Sequence, residues 1–381
     1  MGVLKVYISK NQNPWFNLAA EDYILRTMEP SDRILMLYRN RASIVIGRFQ
    51  NPWLECNIES LNTRDVLLAR RQSGGGTVYH DLGNTNFTFF SGMDRFDKDK
   101  NIGIIVQALK KLGIPAKSLE RSDIIVEGKK ISGSAFKQKR DRAFHHGTLL
   151  INADLNELSI LLHPPHRNIS AKGVPSFSSP VVNLSEYRSD LDHLVVCDAI
   201  IKAFAKSSGG EVGVGARNIV DNGLEVVTLD EPSLLREPAF MEYYNLLSSW
   251  EWLYGKTPVF RQRIYYFDDE KIGSNTGDAG ICGVRGGRFI ENGALHSNNG
   301  VGATENQVEI ELVVRDGLIE SVELKPEDFI LGKLLHSMIG TRYVKAELSA
   351  ALLEGEKNLP EADRKISGYH EAIIRMIIDN I

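Results

Sequence analysis

The chain has 381 residues, 45 Lys plus Arg against 49 Asp plus Glu, a formal net charge of −4 and three cysteines. A mildly acidic balance excludes sequence-independent nucleic-acid binding, which needs a concentrated basic surface. Cys56, Cys197 and Cys282 are odd in number and form no CxxC pair, which argues against a disulfide framework or a cysteine-based zinc site and fits a reducing compartment.

Along the chain, the pattern predicts a strand at Val3–Ile8. A helix follows, with Asn13 as N-cap, Pro14 as its first residue, and Phe16, Ala19, Ala20, Tyr23, Ile24 and Thr27 on one side. Strands are expected at Ile34–Tyr38 and Ser43–Ile46, then a short helix near Glu55–Leu61. Val66–Leu68 and Thr77–Tyr79 flank a glycine triplet, and Phe87–Phe90 is a further strand. Residues 103–112 read as an amphipathic helix. Ile124–Val126 and Lys130–Ser132, separated by Glu127-Gly128-Lys129, predict a hairpin. Phe144–Ile151 is apolar and β-branched, and helices are expected at 154–162 and 190–206.

Composition changes near residue 250, where Trp250-Glu251-Trp252 begins what reads as an anchored linker. The expected division is a catalytic domain over 1–246, a linker over 247–258 and a smaller α+β domain over 259–381. In the last, Val308, Ile310, Leu312 and Val314 alternate with polar residues as in a half-exposed strand. Asp316-Gly317 then turns the chain into a return strand at Ile319–Leu324. Three helices are expected at about 328–338, 343–354 and 366–379, and the Gly/Asn-rich stretch near 267–306 reads as a surface insertion. No run of about 18 apolar residues predicts a transmembrane helix. The N-terminus lacks the apolar core of a signal peptide and the Arg/Ser-rich amphipathicity of a transit peptide.

The sharpest chemical signal is Arg70-Arg71-Gln72-Ser73-Gly74-Gly75-Gly76-Thr77-Val78-Tyr79-His80. Three glycines between strands let the backbone approach a ligand and converge N–H groups on an anion. The two preceding arginines are expected to supply bidentate donors for phosphate. The spacing is neither a Walker loop nor a Rossmann fingerprint. A second signal is Asp123 followed by Lys130-Ile131-Ser132-Gly133-Ser134-Ala135, where a hairpin lysine beside small residues can reach into a cavity as a point charge. A solvated hairpin lysine is the plainer reading, and Lys129 suits it. The third is His145-His146-Gly147-Thr148. Adjacent histidines on a strand point to opposite faces, so they do not chelate one metal together, and at most one meets a ligand. No HExxH or HxxxH pattern supports a tightly bound transition metal.

Taken together, these residues resemble the lipoate–protein ligase A family of the biotin/lipoate ligase superfamily. The blocks carrying the resemblance are Pro14-Trp15-Phe16-Asn17-Leu18-Ala19, Ile46-Gly47-Arg48, Gln50-Asn51-Pro52-Trp53 and Arg70 through Gly76. They continue in His80-Asp81-Leu82-Gly83-Asn84, Lys130 through Ala135, His145 through Leu150, Lys172-Gly173 and Trp250-Glu251-Trp252. The resemblance runs in order over residues 1–260 and is looser beyond. It implies an α+β fold, with a mixed-sheet catalytic domain like those of class II aminoacyl-tRNA synthetases and biotin ligases and a small α+β C-terminal accessory domain.

The activity implied is ATP-dependent activation of lipoate to lipoyl-AMP. Transfer follows to one lysine of a lipoyl domain of a 2-oxoacid dehydrogenase E2 subunit or of glycine-cleavage H protein. By family position, Lys130 is the catalytic residue, contacting the nucleotide and the lipoate carboxylate, and later the acyl carbonyl oxygen as an oxyanion-hole charge. Arg71, Gly76, Thr77, Val78 and Tyr79 are implied to bind the nucleotide. Arg48, Gly75, His80, Asn84 and His146 are implied to line the lipoate site. Asp123 is the candidate magnesium ligand, because carboxylate and phosphate oxygens are hard ligands. ATP and Mg²⁺ are therefore expected, with lipoate or octanoate as the acid substrate, no nucleic acid or membrane partner, and a monomer. The expected location is the cytoplasm, or the mitochondrial matrix if the source is eukaryotic. Trp15, Trp53, Trp250 and Trp252 are expected as packing anchors rather than ligand-stacking residues.

Two alternatives share the motifs. One is a lipoyltransferase using preformed lipoyl-AMP or a lipoylated donor protein. The other is a non-catalytic lipoyl-domain binder, which has no need of an anion cradle beside a lysine. A cysteine-thioester transferase is disfavoured, since no cysteine is flanked by histidine or by the glycine loop.

Overall fold

Asn13 caps the first helix as its position before Pro14 predicts. Its side chain accepts hydrogen bonds from the backbone N–H groups of Trp15 and Phe16, and the helix runs Pro14–Thr27. The computed structural model describes residues 2–119, 123–165, 168–177, 179–208, 224–267, 307–361 and 368–381. They form two units, one of residues 1–164 and 174–253, the other of 165–173 and 254–381.

The first unit is built on a six-stranded mixed sheet. Its order is Ser134–Gln138, Arg142–Leu150, Asn84–Gly92, Arg33–Tyr38, Leu4–Ile8 and Leu224–Thr228. The first four strands pair antiparallel with one another, and the last two are added in parallel. One face is covered by helices Lys98–Lys111 and His193–Ser207, whose Ile102, Ile105, Leu109, Ile200 and Phe204 are buried with Leu35, Phe87 and Phe89 of the sheet. Helix Pro14–Thr27 packs against helix Pro238–Ser248, where Phe16 meets Phe240 edge-on with ring centroids 5.1 Å apart.

Two small sheets complete this unit. Leu67–Arg70, Ser43–Ile46 and Val78–His80 form one, so the glycine loop joins its two outer strands. Lys117–Ser118, Ile124–Val126 and Lys129–Ser132 form the other. Its tip turns at Glu127 and Gly128, with φ of 49° and 81°, the left-handed pair that a tight hairpin needs.

The second unit has an antiparallel sheet ordered Ile169–Ala171, Phe260–Phe267, Gln307–Arg315 and Leu318–Lys325. Helices Phe329–His336, Lys345–Lys357 and Gly368–Asp379 belong to the same unit. Val308, Ile310, Leu312 and Val314 are buried, as their alternation predicts. The expected insertion near 267–306 falls, from residue 268 onward and with Cys282, outside the described residues.

Some boundaries differ from the pattern for local reasons. The helix expected near Glu55–Leu61 is two helices, Pro52–Glu55 and Ile58–Thr63, because Asn57 caps the second. The helix expected at 103–112 begins at Lys98, since Asp97 accepts from the backbone of Asp99 and Lys100 and opens it a turn early. The edge strands Ser134–Gln138 and Leu224–Thr228 and the strand Ile169–Ala171 carry no clean alternation and are legible only from their neighbours. No helix among the described residues is long and apolar enough to cross a membrane.

Candidate active site

A cavity of about 770 Å³ opens in the first unit. Its lining includes Arg71, Gly75, Gly76, Thr77, Val78 and His80 from the glycine-loop side and Asp123, Lys130, Gly133, Ser134 and Ala135 from the hairpin side. His146, Gly147 and Thr148 come from the sheet, Leu18 from the first helix, and Val174, Pro175, Ser176 and Phe177 from a following segment. The structure therefore brings together elements far apart in sequence.

Arg71 organises the glycine loop from within. Its Nη2 donates to the Gly74 carbonyl at 2.7 Å and the Gly76 carbonyl at 2.6 Å, its Nη1 to the Val45 carbonyl at 2.9 Å, and its Nε to Ser73 Oγ and the Gly74 carbonyl at 3.1 Å. Gly75 sits at φ 86°, where a side chain is strained, and a Cβ there would come 3.0 Å from the guanidinium. Burial pulls Arg71 down to about 10, opposed by the charge of Glu21 and by Tyr38, so it stays cationic at neutral pH.

Arg70 is used differently from the sequence expectation. It is fully buried. Its Nη1 donates to the carbonyls of Arg48 and Gln50 at 3.1 and 2.8 Å, and its Nη2 donates to the Leu253 carbonyl at 2.7 Å. Trp252 Nε1 donates back to the Arg70 carbonyl at 2.6 Å. Arg70 is thus a clamp on two backbone segments and is not among the cavity's lining residues, because satisfying so many buried carbonyls needs a planar, five-donor cation inside the protein.

Lys130 faces the cavity from the hairpin, and its Nζ lies 3.0 Å from Asp123 Oδ1. Its strand is held by Lys130 N–H to the Pro180 carbonyl at 2.8 Å and by Val182 N–H to the Lys130 carbonyl at 3.1 Å. The small residue at Gly133 leaves room for the ammonium, since a Cβ there would lie 3.3 Å from Nζ.

His145 and His146 face opposite sides of the sheet, and His146 is the one that lines the cavity. His146 Nε2 lies 2.7 Å from Ser73 Oγ, and its Nδ1 lies 3.0 Å from Glu21 Oε2. With Nδ1 donating to the carboxylate, Nε2 accepts from the Ser73 hydroxyl. Glu21 also accepts from Tyr38 at 3.1 Å and from Thr88. Burial, then the negative charge of Glu21, holds the Tyr38 phenol well above its ordinary range, so it remains a donor. The Val174–Phe177 segment is fixed beside the loop. Ser176 Oγ accepts from Thr77 N–H at 2.9 Å and donates to Glu55, while Gln50 Nε2 donates to the Val174 carbonyl at 3.1 Å.

Glu21, Gln50, Glu55 and Ser176 are not among the candidate site residues of the sequence reading. Glu21 left a trace there, an acidic pair with Asp22 inside the apolar run of the first helix, and both are buried.

Three expected residues are not brought to the cavity. Arg48 lays its guanidinium over the Trp252 ring at 4.3 Å. Asn84 is fully buried, and its Nδ2 donates to the Tyr79 carbonyl at 3.0 Å. Tyr79 itself packs in the core. The reason for the last two is strand alternation and turn closure, which direct Val78 and His80 to the cavity and leave Tyr79 behind. Of the tryptophans, Trp53 and Trp252 are buried, Trp15 donates to the Leu68 carbonyl at 2.9 Å, and none lines the cavity.

Among the described residues no three His, Cys, Asp or Glu side chains form a metal-holding group. Among the described residues Asp123 is the one carboxylate lining the cavity, and it is paired with Lys130 at 3.0 Å. That donor set does not fit a magnesium site built by the protein alone. Cys56 is buried with its Sγ on the Pro52 carbonyl, and burial pushes the Cys197 thiol up to about 12, so Cys197 supplies no thiolate.

Burial, then the positive charge of Arg71, lowers His80 to about 3, and burial lowers His145 to about 4, against an ordinary 6.5. Asn40 donates to His80 Nδ1 at 2.9 Å, consistent with a neutral ring. Because these folded-state values lie below the unfolded one, the unfolded chain binds more protons at mildly acidic pH. The stability involved is complete above about pH 6.5 and is lost as pH falls towards the folded values, at roughly 1.4 kcal/mol per pH unit for each ring. Urea unfolding midpoints should therefore be lower at pH 5.5 than at pH 7 (about 1.5 units apart). Coincident midpoints would exclude two neutral buried rings.

The family model described as the lipoyl protein ligase A/B catalytic domain matches residues 13–205. A relative described as "Lipoate-protein ligase A", from Psychrobacter cryohalolentis, is 48% identical over 261 residues, covering 68% of this chain and 75% of that protein. The crystal structure of P. falciparum LipL1 with lipoate is similar over 99% of this chain and 100% of its own, at 30% identity and a TM-score of 0.58. A lipoate-protein ligase A crystallised with ATP is similar over 67% of this chain and 100% of its own, at 26% identity and a TM-score of 0.55.

Proposed function

The chain belongs to the lipoyl protein ligase A/B catalytic domain family, and from that premise we infer that it is an ATP-dependent lipoate–protein ligase. The observation that carries this reading is one cavity in which a glycine loop, wrapped around a buried arginine, lies across from a lysine held by a carboxylate.

Two steps follow. In the first, a lipoate carboxylate oxygen attacks the α-phosphorus of ATP, the bond to the β-phosphate oxygen breaks, and pyrophosphate leaves. In the second, a lysine amine of an acceptor lipoyl domain attacks the acyl carbon, loses its proton, and AMP departs. We assign Lys130 to the carboxylate and then to the carbonyl oxygen, where its charge stabilises the oxyanion that develops during aminolysis. The backbone from Gly75 to Val78 is assigned to the nucleotide phosphates. Arg71 acts on them by holding the loop and by its positive charge, since most of its donors are turned onto loop carbonyls. His80 and His146 are assigned to the lipoate. Neutral His80 costs an apolar chain little, and the Ser73–His146–Glu21 network keeps His146 in one tautomer.

Magnesium is assigned to the nucleotide, entering as the magnesium form of ATP rather than as a resident ion. The acceptor is assigned as an apo lipoyl domain of the 2-oxoacid dehydrogenase E2 or H-protein type, with lipoate or octanoate as the acid. Orientation and charge stabilisation supply the catalysis, because the adenylate is already a mixed anhydride with a good leaving group.

Purified chain with ATP, Mg²⁺ and lipoate should release one pyrophosphate per lipoyl-AMP formed, and addition of an apo lipoyl domain should give the lipoylated lysine by mass. Transfer from supplied lipoyl-AMP with no ATP-dependent activation would replace the ligase by a transferase. Neither activity, with retained affinity for the lipoyl domain, would leave a binding protein.

A further inference from the structure

A second cleft, of about 880 Å³, lies in the first unit and has no part in the chemistry above. Strand register places it on the other face of the sheet. Phe136, His145 and Phe89 stand side by side across three strands, while Ala135, His146 and Thr88 form the neighbouring row, and directly opposed residues share a face. Ala135 and His146 line the catalytic cavity, whereas Phe136 and Phe89 line the cleft.

Four cations line this cleft, Arg33, Arg95, Lys98 and Lys100, against two carboxylates, Asp94 and Asp97. Both carboxylates are partly engaged. Asp97 accepts from the backbone N–H groups of Asp99 and Lys100 at 3.0 and 2.9 Å, and Asp94 lies 3.5 Å from Arg95. Among the described residues Arg33, Lys98 and Lys100 have no carboxylate within ion-pair distance, and Arg33 is instead tethered by Ser208 Oγ at 2.6 Å, over the Phe204 ring at 5.4 Å. Burial, then the charge of Arg95, lowers Arg33 from its ordinary value. Lys98 and Lys100 stand in the first turn of a 14-residue helix, where the macrodipole repels cations. Beside this floor, His145 is fully buried with neither ring nitrogen hydrogen-bonded.

Lys98 and Lys100 gain nothing from the helix terminus on which they stand, and one oxyanion bound among Arg33, Arg95, Lys98 and Lys100 would satisfy these cations together. We propose that the cleft is a second ligand site, built for a multivalent oxyanion of the phosphate class.

The test is calorimetric titration of the full chain with inorganic pyrophosphate, in the parent, in Arg71→Lys as the variant of the catalytic phosphate site, and in a Lys98→Gln/Lys100→Gln variant. One saturable site should keep its affinity in Arg71→Lys and weaken about tenfold in the double variant. The double variant should melt no lower than the parent, because it removes cations from a helix N-terminus. Arg95→Gln, on an exposed side chain, should weaken binding in the same sense. ADP titrated in parallel separates the sources at the site that the double variant weakens: equal affinity there assigns a bare diphosphate, and tighter binding assigns a nucleotide. Absence of saturable binding, or binding weakened in Arg71→Lys and unchanged in the double variant, would overturn the proposal.

Discussion

Replacing Lys130 with alanine is expected to lower both lipoyl-AMP formation and lipoyl transfer by about 10²–10³-fold, the usual effect of removing one preorganised charge from a developing oxyanion. Both steps should suffer, because the same ammonium is assigned to the carboxylate before activation and to the carbonyl oxygen during aminolysis. The fold should persist. The Lys130 strand is anchored through its backbone to Pro180 and Val182, and its side chain is partly exposed. The substitution leaves Asp123 without its cation, so Asp123→Asn is the companion variant. If Lys130 acts directly, Asp123→Asn retains far more activity than Lys130→Ala. Near-normal pyrophosphate exchange and near-normal transfer from supplied lipoyl-AMP in Lys130→Ala would remove Lys130 from the mechanism.

The adjacent arginines are expected to fail in different ways. Arg70→Ala opens a cavity the size of a large side chain and strips hydrogen bonds from the carbonyls of Arg48, Gln50 and Leu253. A loss of roughly 3–5 kcal/mol of stability is expected, as for other broken buried networks. Arg71→Lys keeps a charge at the cavity but loses the planar fork that grips Gly74 and Gly76 together. It should stay folded while its KM for ATP rises about tenfold or more, because the loop amides are no longer held in place. Denaturant unfolding and steady-state kinetics on the two variants check this division. It fails if Arg70→Ala is as stable as the parent, or if Arg71→Lys leaves the ATP KM unchanged.

That contrast shows where one-dimensional reading reaches its limit. Arg70 and Arg71 are equivalent in sequence, two cations before three glycines. Alternation on a strand end directs one towards the cavity and the other into the protein, and only the packing of Trp252 and Leu253 supplies the carbonyls that Arg70 binds. Arg48 is a similar case, since its stacking partner lies 204 positions later in the chain. Asn84 is a polar residue spent on closing a turn, a use that composition does not distinguish from ligand binding. Conversely, the hairpin at Glu127-Gly128 and the Asn13-Pro14 helix start were legible because their cause is local, a left-handed turn and a side-chain cap.

The amino-acid sequence by itself pointed to the mixed α+β class through its family resemblance, marked the glycine loop as a close-approach backbone, and placed Lys130 among small residues as a charge able to reach into a cavity. It also established that the two histidines part to opposite faces, since strand period is a property of the backbone alone. Only the tertiary structure decided which polar side chains serve the cavity and which hold the scaffold. Glu21 becomes the partner of His146 across 125 positions, and Ser176 the partner of Thr77 across 99. The physical reason is that a buried polar group must find its partner wherever the fold brings one, and the mildly acidic composition seen at the outset carries no record of such pairings.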